Sequence, residues 1–241
     1  MRIAVISDMH GNCVALDAVL ADLESHPVDR VVCLGDAVQG GPQPAEVVAR
    51  LRELGCPVVL GNADAFLLTG TDGNEAVSAQ QSAAREWSLA QLSEADRAFI
   101  GAFHPTVESP LPGGRRLLCF HGSPASFHDI IFPETPEADV RGLLGAYLPA
   151  ILTGGHTHLQ QLRRLDDSLF FNPGSVGYVY NTRASGGNLH ADPWAEYAIL
   201  SADERRFSIE FCRIPFDVAA WKRITLASGI PDAETMMTRY R

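Results

Sequence analysis

The sequence predicts an α/β fold with a polar crevice at one end of its strands. Three features of the 241-residue chain predict it. Short apolar runs recur, each closed by a side chain of the kind that binds metals. Residues 1–61 alternate strand-like and helix-like periodicity. After Pro105 the pattern turns mostly to strands, which suggests a second, more antiparallel sheet packed on the first.

The apolar runs are Arg2 to Ser7, Val31 to Leu34, Val58 to Leu60, Leu117 to Phe120 and Ile151 to Thr153. They lead into Asp8 and His10, Asp36, Asn62, His121, and the pair His156 and His158. Runs this short, rich in Val, Ile and Leu and bounded by Gly, read as strands buried on both faces. In an open α/β sheet the loops leaving the strand carboxyl ends gather into one crevice. Two Asp, one Asn and four His are therefore expected there, an inventory that suits a pair of divalent metals.

Between the first runs, Asn12 to Glu24 spaces Val14, Leu16, Val19, Leu20 and Leu23 helically, with Asn12 as N-cap. Pro44 to Leu54 is a second helix, with Pro in its first turn. The resulting βαβαβ unit predicts a parallel core with right-handed crossovers. Helices are expected over Ser78 to Leu89 and Ser93 to Phe103, beside the sheet or partly over the site. Gly113-Gly114 reads as a hairpin turn before Arg115 to Phe120, and Pro136 to Tyr147 as a helix. Gln161 to Leu165, Leu169 to Phe171, Tyr197 to Leu200 and Phe207 to Arg213 read as strands of the second sheet. Residues 177–194 read as a surface loop, and Asp217 to Tyr240 as two short helices split near Gly229-Ile230-Pro231. No linker interrupts the chain, so one domain over residues 1–241 is expected, with the helical segment at about 76–104 packed beside or over the site.

Composition narrows the function. A net charge of −10 argues against stable nucleic-acid binding and against an anionic membrane surface. An acidic chain that handles phosphates needs a local positive centre, which bound cations provide. The five cysteines, Cys13, Cys33, Cys56, Cys119 and Cys212, form no CxxC pair. They read as reduced thiols in a cytoplasmic protein. The chain shows no signal-peptide core and no apolar run near the roughly 20 residues of a membrane span.

Each candidate ligand has an ordinary alternative. Asp8 fits a helix cap, Asp36 a turn after Gly35, and Asn62 the N-cap of a helix at Ala63 to Leu68. His156 and His158, one residue apart behind Gly154-Gly155, fit a buried core least well. A hard carboxylate beside an imidazole suits Mn, Fe, Co, Ni or Zn better than Ca or Mg.

Taken together, Asp8-Met9-His10, Gly35-Asp36, Gly61-Asn62, His121 and Gly155-His156-Thr157-His158 closely resemble the ordered motifs of the calcineurin-like metallophosphoesterase superfamily. Asn172-Pro173-Gly174-Ser175 and the opening Ser7 to Asn12 resemble its compact bacterial phosphodiesterase branch. The resemblance implies a two-sheet α/β/β/α sandwich and a dinuclear centre. One metal takes Asp8, His10, Asp36 and His158. The other takes Asp36, Asn62, His121 and His156, with Asp36 bridging. It implies two divalent ions, Mn or Fe foremost and Zn, Co or Ni as alternatives. A metal-bridging hydroxide is then the nucleophile, with Asp36, Asn62 and His121 positioning it and the phosphate, and no protein nucleophile. The implied partner is a small phosphorylated substrate, a nucleotide among the candidates.

The chain departs from that pattern at one place. In many superfamily members the residue after the GN asparagine is a histidine that protonates the leaving group. Here it is Ala63, and a methyl group donates no proton. General acid catalysis is typically worth about 10²–10⁴-fold, so phosphoanhydrides and activated diesters are expected to be preferred over simple alkyl monoesters. Asp64 is weighed as a water-mediated relay or as a first-turn helix residue, and His128 as a second proton source or a loop residue. Tyr178, Tyr180, Asn181 and Arg183 are weighed as substrate contacts or as solvated loop.

Three function classes follow. The first is a phosphodiesterase or nucleotide pyrophosphohydrolase, with symmetrical dinucleoside tetraphosphate hydrolysis as an alternative main activity. The second is a non-catalytic protein-interaction scaffold, as in the retromer subunit of similar fold; all seven ligand positions being filled argues against it. The third is a protein phosphatase, which the small chain, with no obvious peptide groove, favours least. A homo-oligomer is compatible with the sequence.

Overall fold

The computed structural model describes residues 1–73, 76–148, 150–181 and 190–240. In chain order the elements begin β1 (Arg2–Ile6), α1 (Cys13–Ser25), β2 (Arg30–Cys33), α2 (Pro44–Leu54), α3 (Asn62–Thr69), α4 (Ala79–Gln91) and α5 (Glu94–Gly101). There follow β3 (Val107–Leu111), β4 (Arg115–Cys119), α6 (Glu137–Leu144), β5 (Ile151–Thr153), β6 (Gln161–Leu165) and β7 (Ser168–Asn172). The chain ends with β8 (Tyr180–Asn181), β9 (His190–Ala191), β10 (Trp194–Ala202), β11 (Phe207–Pro215), α7 (Val218–Ser228) and α8 (Ala233–Met237).

Alternation along β1 sets the layering. Successive side chains of a strand point to opposite faces. Ile3 and Val5 join Val32, Leu34, Leu117, Cys119, Ile151 and Phe171 in a cluster between two sheets. Ala4 and Ile6 pack instead with Leu16 and Val19 of α1 and Val47, Val48 and Leu51 of α2. On the far side, Leu118, Leu152 and Phe170 pack against Val140 and Leu144 of α6. The layers are helix, sheet, sheet, helix, and the strands are apolar on both faces because both faces are covered.

One sheet has the order β11-β10-β1-β2 and the other β3-β4-β5-β7-β6. Both are mixed, which corrects the expected division. β1 and β2 are parallel, but β10 pairs antiparallel with β1 and β11 antiparallel with β10. The strands of residues 194–215 therefore extend the first sheet rather than the second. In the second sheet β4, β5 and β7 run parallel, with antiparallel β3 and β6 at the edges. Nor does the run after Pro57 form a full strand. It makes single parallel bridges, Val58 to Cys33 and Val59 to His104, enough to carry Gly61-Asn62 to the end of β2.

Local signals hold where they are chemically specific. Asn12 caps α1 by accepting from Ala15 N at 3.0 Å. Ser78 and Gln81 form a capping box at α4, and Ser93 and Asp96 form one at α5 despite the shorter Asp side chain. The tail forms α7 and α8 about Gly229, as its pattern predicts. The cysteines are all free, with Cys13, Cys33 and Cys119 buried and Cys56 and Cys212 half-buried.

The expected surface loop is not one over its first residues. Tyr178 and Val179 are buried, and Tyr178 packs with Trp221, Ile230, Met236 and Tyr240 of the C-terminal segment. Aromatic residues that sequence reading assigns to solvent here anchor the tail. No helix among the described residues is long and apolar enough to cross a membrane.

Candidate metal centre

Five of the candidate ligands sit in left-handed backbone. Asp8, His10, Asp36, His156 and His158 have φ between 46° and 68°; among the other described non-glycine residues only Asp166 and Asp232 share that region. Each such residue costs of order 1–3 kcal/mol and persists only where its surroundings over-determine it. Here the loops brace one another. Asp8 N donates to Gly35 O, His10 N to Asp36 O, Gly155 N to His121 O and Gly177 N to Asp8 O, at 2.8–3.0 Å.

The side chains meet in two groups. In the first, Asp8 Oδ1 is 3.3 Å from His158 Nε2 and 3.9 Å from His10 Nε2. In the second, Asp36 Oδ2 is 3.3 Å from His121 Nε2, which is 3.1 Å from Asn62 Oδ1. His156 belongs to this group, its ring 5.0 Å from that of His121. Asp36 Oδ2 also lies 3.7 Å from His10 Nε2, so one carboxylate touches both groups. Asp8, Asp36, His121 and His158 are buried; His10, Asn62 and His156 are half-buried.

Hydrogen bonds behind the rings orient them. His10 Nδ1 donates to Gln39 O at 2.8 Å, His121 Nδ1 to Leu34 O at 2.9 Å and His158 Nδ1 to Tyr178 O at 2.6 Å. A carbonyl only accepts, so a hydrogen sits on each Nδ1, and Nε2 is the ring nitrogen turned inward. Metal-binding histidines are held this way. Asp8 Oδ1, buried within the same group, has no hydrogen-bond partner among the described residues. Inward ring nitrogens together with an orphaned carboxylate oxygen fit a cation, and oxygen and imidazole donors suit divalent transition ions.

Charge agrees. Burial disfavours both carboxylates, yet facing His158 lowers the Asp8 pKa and facing His121 lowers that of Asp36. Burial also opposes a charged His121, but Asp36 and Asp8 raise its pKa to about 9. The pocket calls for positive charge. His156, where burial and His121 act together, is pushed down to about 4 and is a neutral donor.

A further layer fixes the ligands. Asp36 Oδ1 accepts from Ala63 N at 2.7 Å, leaving Oδ2 for the histidines. A side chain at Gly61 would strike Asp36, and one at Gly155 would strike Ser7 and Asp8, so close approach demands glycine at both. Asn172 Nδ2 donates to Gly155 O at 2.6 Å, and Ser175 Oγ to Asp8 O at 2.9 Å. The Asn172 to Ser175 motif thus supports the ligand loops from behind.

The ordinary alternatives fare differently. Asn12, not Asp8, caps α1, and Gly61, not Asn62, is the N-cap of α3. Asp64 sits in the first turn of α3, the second of the two roles weighed for it. It is fully buried and accepts from Ala37 N and Val38 N at 3.0–3.2 Å, tying down the loop after Asp36. His128 lies 3.8 Å from Asp72, which lines a cavity beside Asn62 and Ala63. Tyr180 stacks on His158 at 4.7 Å between ring centroids. Arg183 and the Asn181 side chain lie outside the described residues.

Five strand-end or loop motifs in this order, closing on one pair of ligand groups, are those of a known family. The model of the calcineurin-like phosphoesterase superfamily domain matches residues 1–200. The chain belongs to the calcineurin-like phosphoesterase superfamily. A metallophosphoesterase from Sphaerobacter thermophilus superposes with a TM-score of 0.76 at 26% identity, over 99% of this chain and 97% of that one. A hypothetical protein from Pyrococcus horikoshii superposes with a TM-score of 0.81 over 99% and 98%; at 18% identity this likeness shows the fold alone. In sequence, the chain is 28% identical over 224 residues to an uncharacterized protein of Methanocaldococcus jannaschii, covering 90% of this chain and 88% of that one. It is 31% identical over 160 residues to a symmetrical bis(5'-nucleosyl)-tetraphosphatase of Paracidovorax citrulli, covering 63% of this chain and 55% of the relative. Divalent metals are usual in the superfamily, and the two ligand groups are candidate sites for them.

Proposed function

We propose that this chain is a dinuclear-metal-dependent phosphoesterase that cleaves phosphodiester or phosphoanhydride bonds whose leaving groups need no proton. The observation that carries the reading is the inward-facing set of ligand atoms, two groups joined by Asp36 Oδ2. Asp8, His10, Asp36 and His158 would hold one ion, and Asp36, Asn62, His121 and His156 the other. Two such ions, when bound, would supply positive charge for the phosphoryl oxygens and would lower the pKa of a water positioned near phosphorus.

The chain's own residues set the rest. Two carboxylates against two dications leave net positive charge for an anionic substrate, and the neutral amide of Asn62 preserves it. The carbonyls of Gln39, Leu34 and Tyr178 hold the histidine rings in place, which limits reorganisation as charge develops. Ala63 lines the cavity next to the centre and offers no proton. The Asp64 carboxylate accepts from the backbone amides of Ala37 and Val38 and is no substitute. Good leaving groups are therefore favoured, as in anhydrides and aryl diesters. The Asp, Asn and His donors admit several divalent transition ions, with Mn or Fe proposed first and Zn, Co or Ni next. The free cysteines support a reducing, cytoplasmic setting.

A panel of aryl diesters, dinucleoside polyphosphates and alkyl monoesters, assayed with Mn²⁺, Fe²⁺, Zn²⁺ and Mg²⁺, tests the reading. Hydrolysis of the first two classes, abolished in Asp36→Asn, is the expected result. A higher kcat/KM for alkyl monoesters contradicts the preference, and no hydrolysis with any metal contradicts the enzyme. A narrower reading, a dinucleoside polyphosphate hydrolase, has one specific support, the 31% identity to the tetraphosphatase of Paracidovorax citrulli.

A further inference from the structure

Beside the candidate centre lies a cavity of about 410 Å³, within the usual range for small-molecule sites, about 300–1,000 Å³. It opens between Asn62 and Ala63 on one side and the C-terminal segment on the other. Its lining combines apolar residues, Phe66 and Met236 among them, with the polar Gln39 and the cationic Arg239. A leaving group departing past Ala63 would enter this space.

Arg239 is set up to receive an anion. The chain carries a net charge of −10, yet this cation has no carboxylate partner among the described residues. Its backbone is pinned, with N donating to Met236 O at 3.1 Å and O accepting from Ala191 N at 2.7 Å. Its guanidinium carbon lies 5.5 Å from the centroid of the Tyr178 ring, and that ring is 5.9 Å from the ring of His10. One tyrosine thus touches both the cation and a candidate metal ligand. A guanidinium carries five N–H donors, more than its contact with Tyr178 can use, which leaves others for a phosphate.

Gln39 supplies an independent observation. It lines the cavity, is 7% exposed, and its Oε1 has no hydrogen-bond partner among the described residues. A buried unpartnered amide oxygen is rare enough to need a cause. A half-turn of the amide exchanges its oxygen and nitrogen, so the group can answer a ligand's donor or acceptor. Asp232, exposed and also lining the cavity, suits a sugar hydroxyl rather than a phosphate.

We propose that this cavity is a leaving-group subsite for a nucleoside phosphate, in which Arg239 binds a phosphate adjoining the scissile one and Gln39 binds the nucleoside. The proposal rests on the phosphoesterase reading, since that reading places the scissile phosphate at the ligand groups. It deepens that reading by naming the substrate class, a nucleotide with at least two linked phosphates.

Calorimetric binding of non-hydrolysable α,β-methylene-ADP, AMP and methylenediphosphonate to Mn²⁺-loaded and to metal-free protein tests it. Wild type is expected to prefer methylene-ADP over AMP, and Arg239→Gln to cut that preference about 10-fold or more. Arg239→Lys should recover part of it, because charge returns without the fork. Gln39→Leu should reduce the preference for methylene-ADP over methylenediphosphonate, while its backbone carbonyl still holds His10. An unchanged preference in Arg239→Gln overturns the phosphate assignment, and one in Gln39→Leu overturns the nucleoside assignment. Failure of the wild type to hydrolyse any aryl diester or anhydride would instead remove the phosphoesterase reading, a result separate from these binding ratios.

Discussion

His10 and His158 turn their Nε2 atoms toward one another at 3.2 Å, while the Nδ1 atom of each donates to a backbone carbonyl. With both rings neutral, two lone pairs oppose. A cation between them converts that repulsion into coordination. Saturation with Mn²⁺ is therefore expected to raise the melting temperature, with about 2.7 kcal/mol of stabilisation at 100 times the dissociation constant. Excess chelator should reverse the shift. A melting curve indifferent to Mn²⁺ and chelator would contradict the assignment.

Asp36 touches both ligand groups, and Asp8 only one. Removing an outer partner of a metal ligand typically costs 10–100-fold; a shared ligand should cost more. Asp36→Asn is predicted to lower kcat/KM by at least ~10²-fold and to weaken both ions, whereas Asp8→Asn weakens mainly the ion held with His158. Metal content of dialysed protein, measured by elemental analysis, separates the two patterns.

Ala63 lines the cavity beside the candidate centre. Ala63→His is predicted to raise kcat/KM for alkyl monoesters by up to ~10²-fold and to leave aryl diesters much less changed. Parallel gains on both substrate classes would show that the leaving-group proton does not limit this enzyme.

Asn172 spends its amide on the ligand loops. Besides the bond to Gly155 O, it donates to Thr157 Oγ1 at 3.1 Å and accepts from Gly174 N at 2.8 Å. Asn172→Ala leaves buried backbone groups unpaired and is predicted to cost about 1–3 kcal/mol, read as a lower urea midpoint at constant slope. Metal affinity should fall with it, since Gly155 precedes His156.

Glu196 predicts a pH dependence away from the centre. Burial pushes its pKa from an ordinary 4.5 up to about 7, although Arg213 lies 2.8 Å away and opposes the shift. The folded protein then holds a proton that the unfolded chain releases. Stability conferred by that proton is fully present near pH 4.5, declines as pH rises toward 7, and is level above. The total is up to about 3 kcal/mol. Glu196→Gln should flatten this limb in melts recorded from pH 4.5 to 8; an unchanged slope would assign it to another group.

Much of this was legible in the chain. A residue type with one dominant chemical use, set at a strand end behind glycine, announces itself: His156 and His158 do so, and so does Asp36 after Gly35. The cap at Asn12 was equally readable, because it acts within a few residues. Sheet membership was not. β10 and β11 look the same in sequence whichever sheet they join, since alternation reports burial and not the neighbour. Tyr178 was misread because a Gly- and Asn-rich context signals a turn, while its burial depends on Trp221, Tyr240 and Met236 arriving from the C-terminal segment. Arg239 carried no signal at all, since its place beside the Tyr178 ring depends on a contact between residues far apart in the chain.

By itself, the sequence determined the fold class, the superfamily and which seven side chains are offered as ligands, because strand period and glycine-flanked polar residues are local properties. The tertiary structure decided how they are held: which carbonyl turns each imidazole, which carboxylate spans both groups, and what cation faces the cavity. Those depend on contacts between residues far apart in the chain, and only a packed core sets such distances to within a few tenths of an ångström.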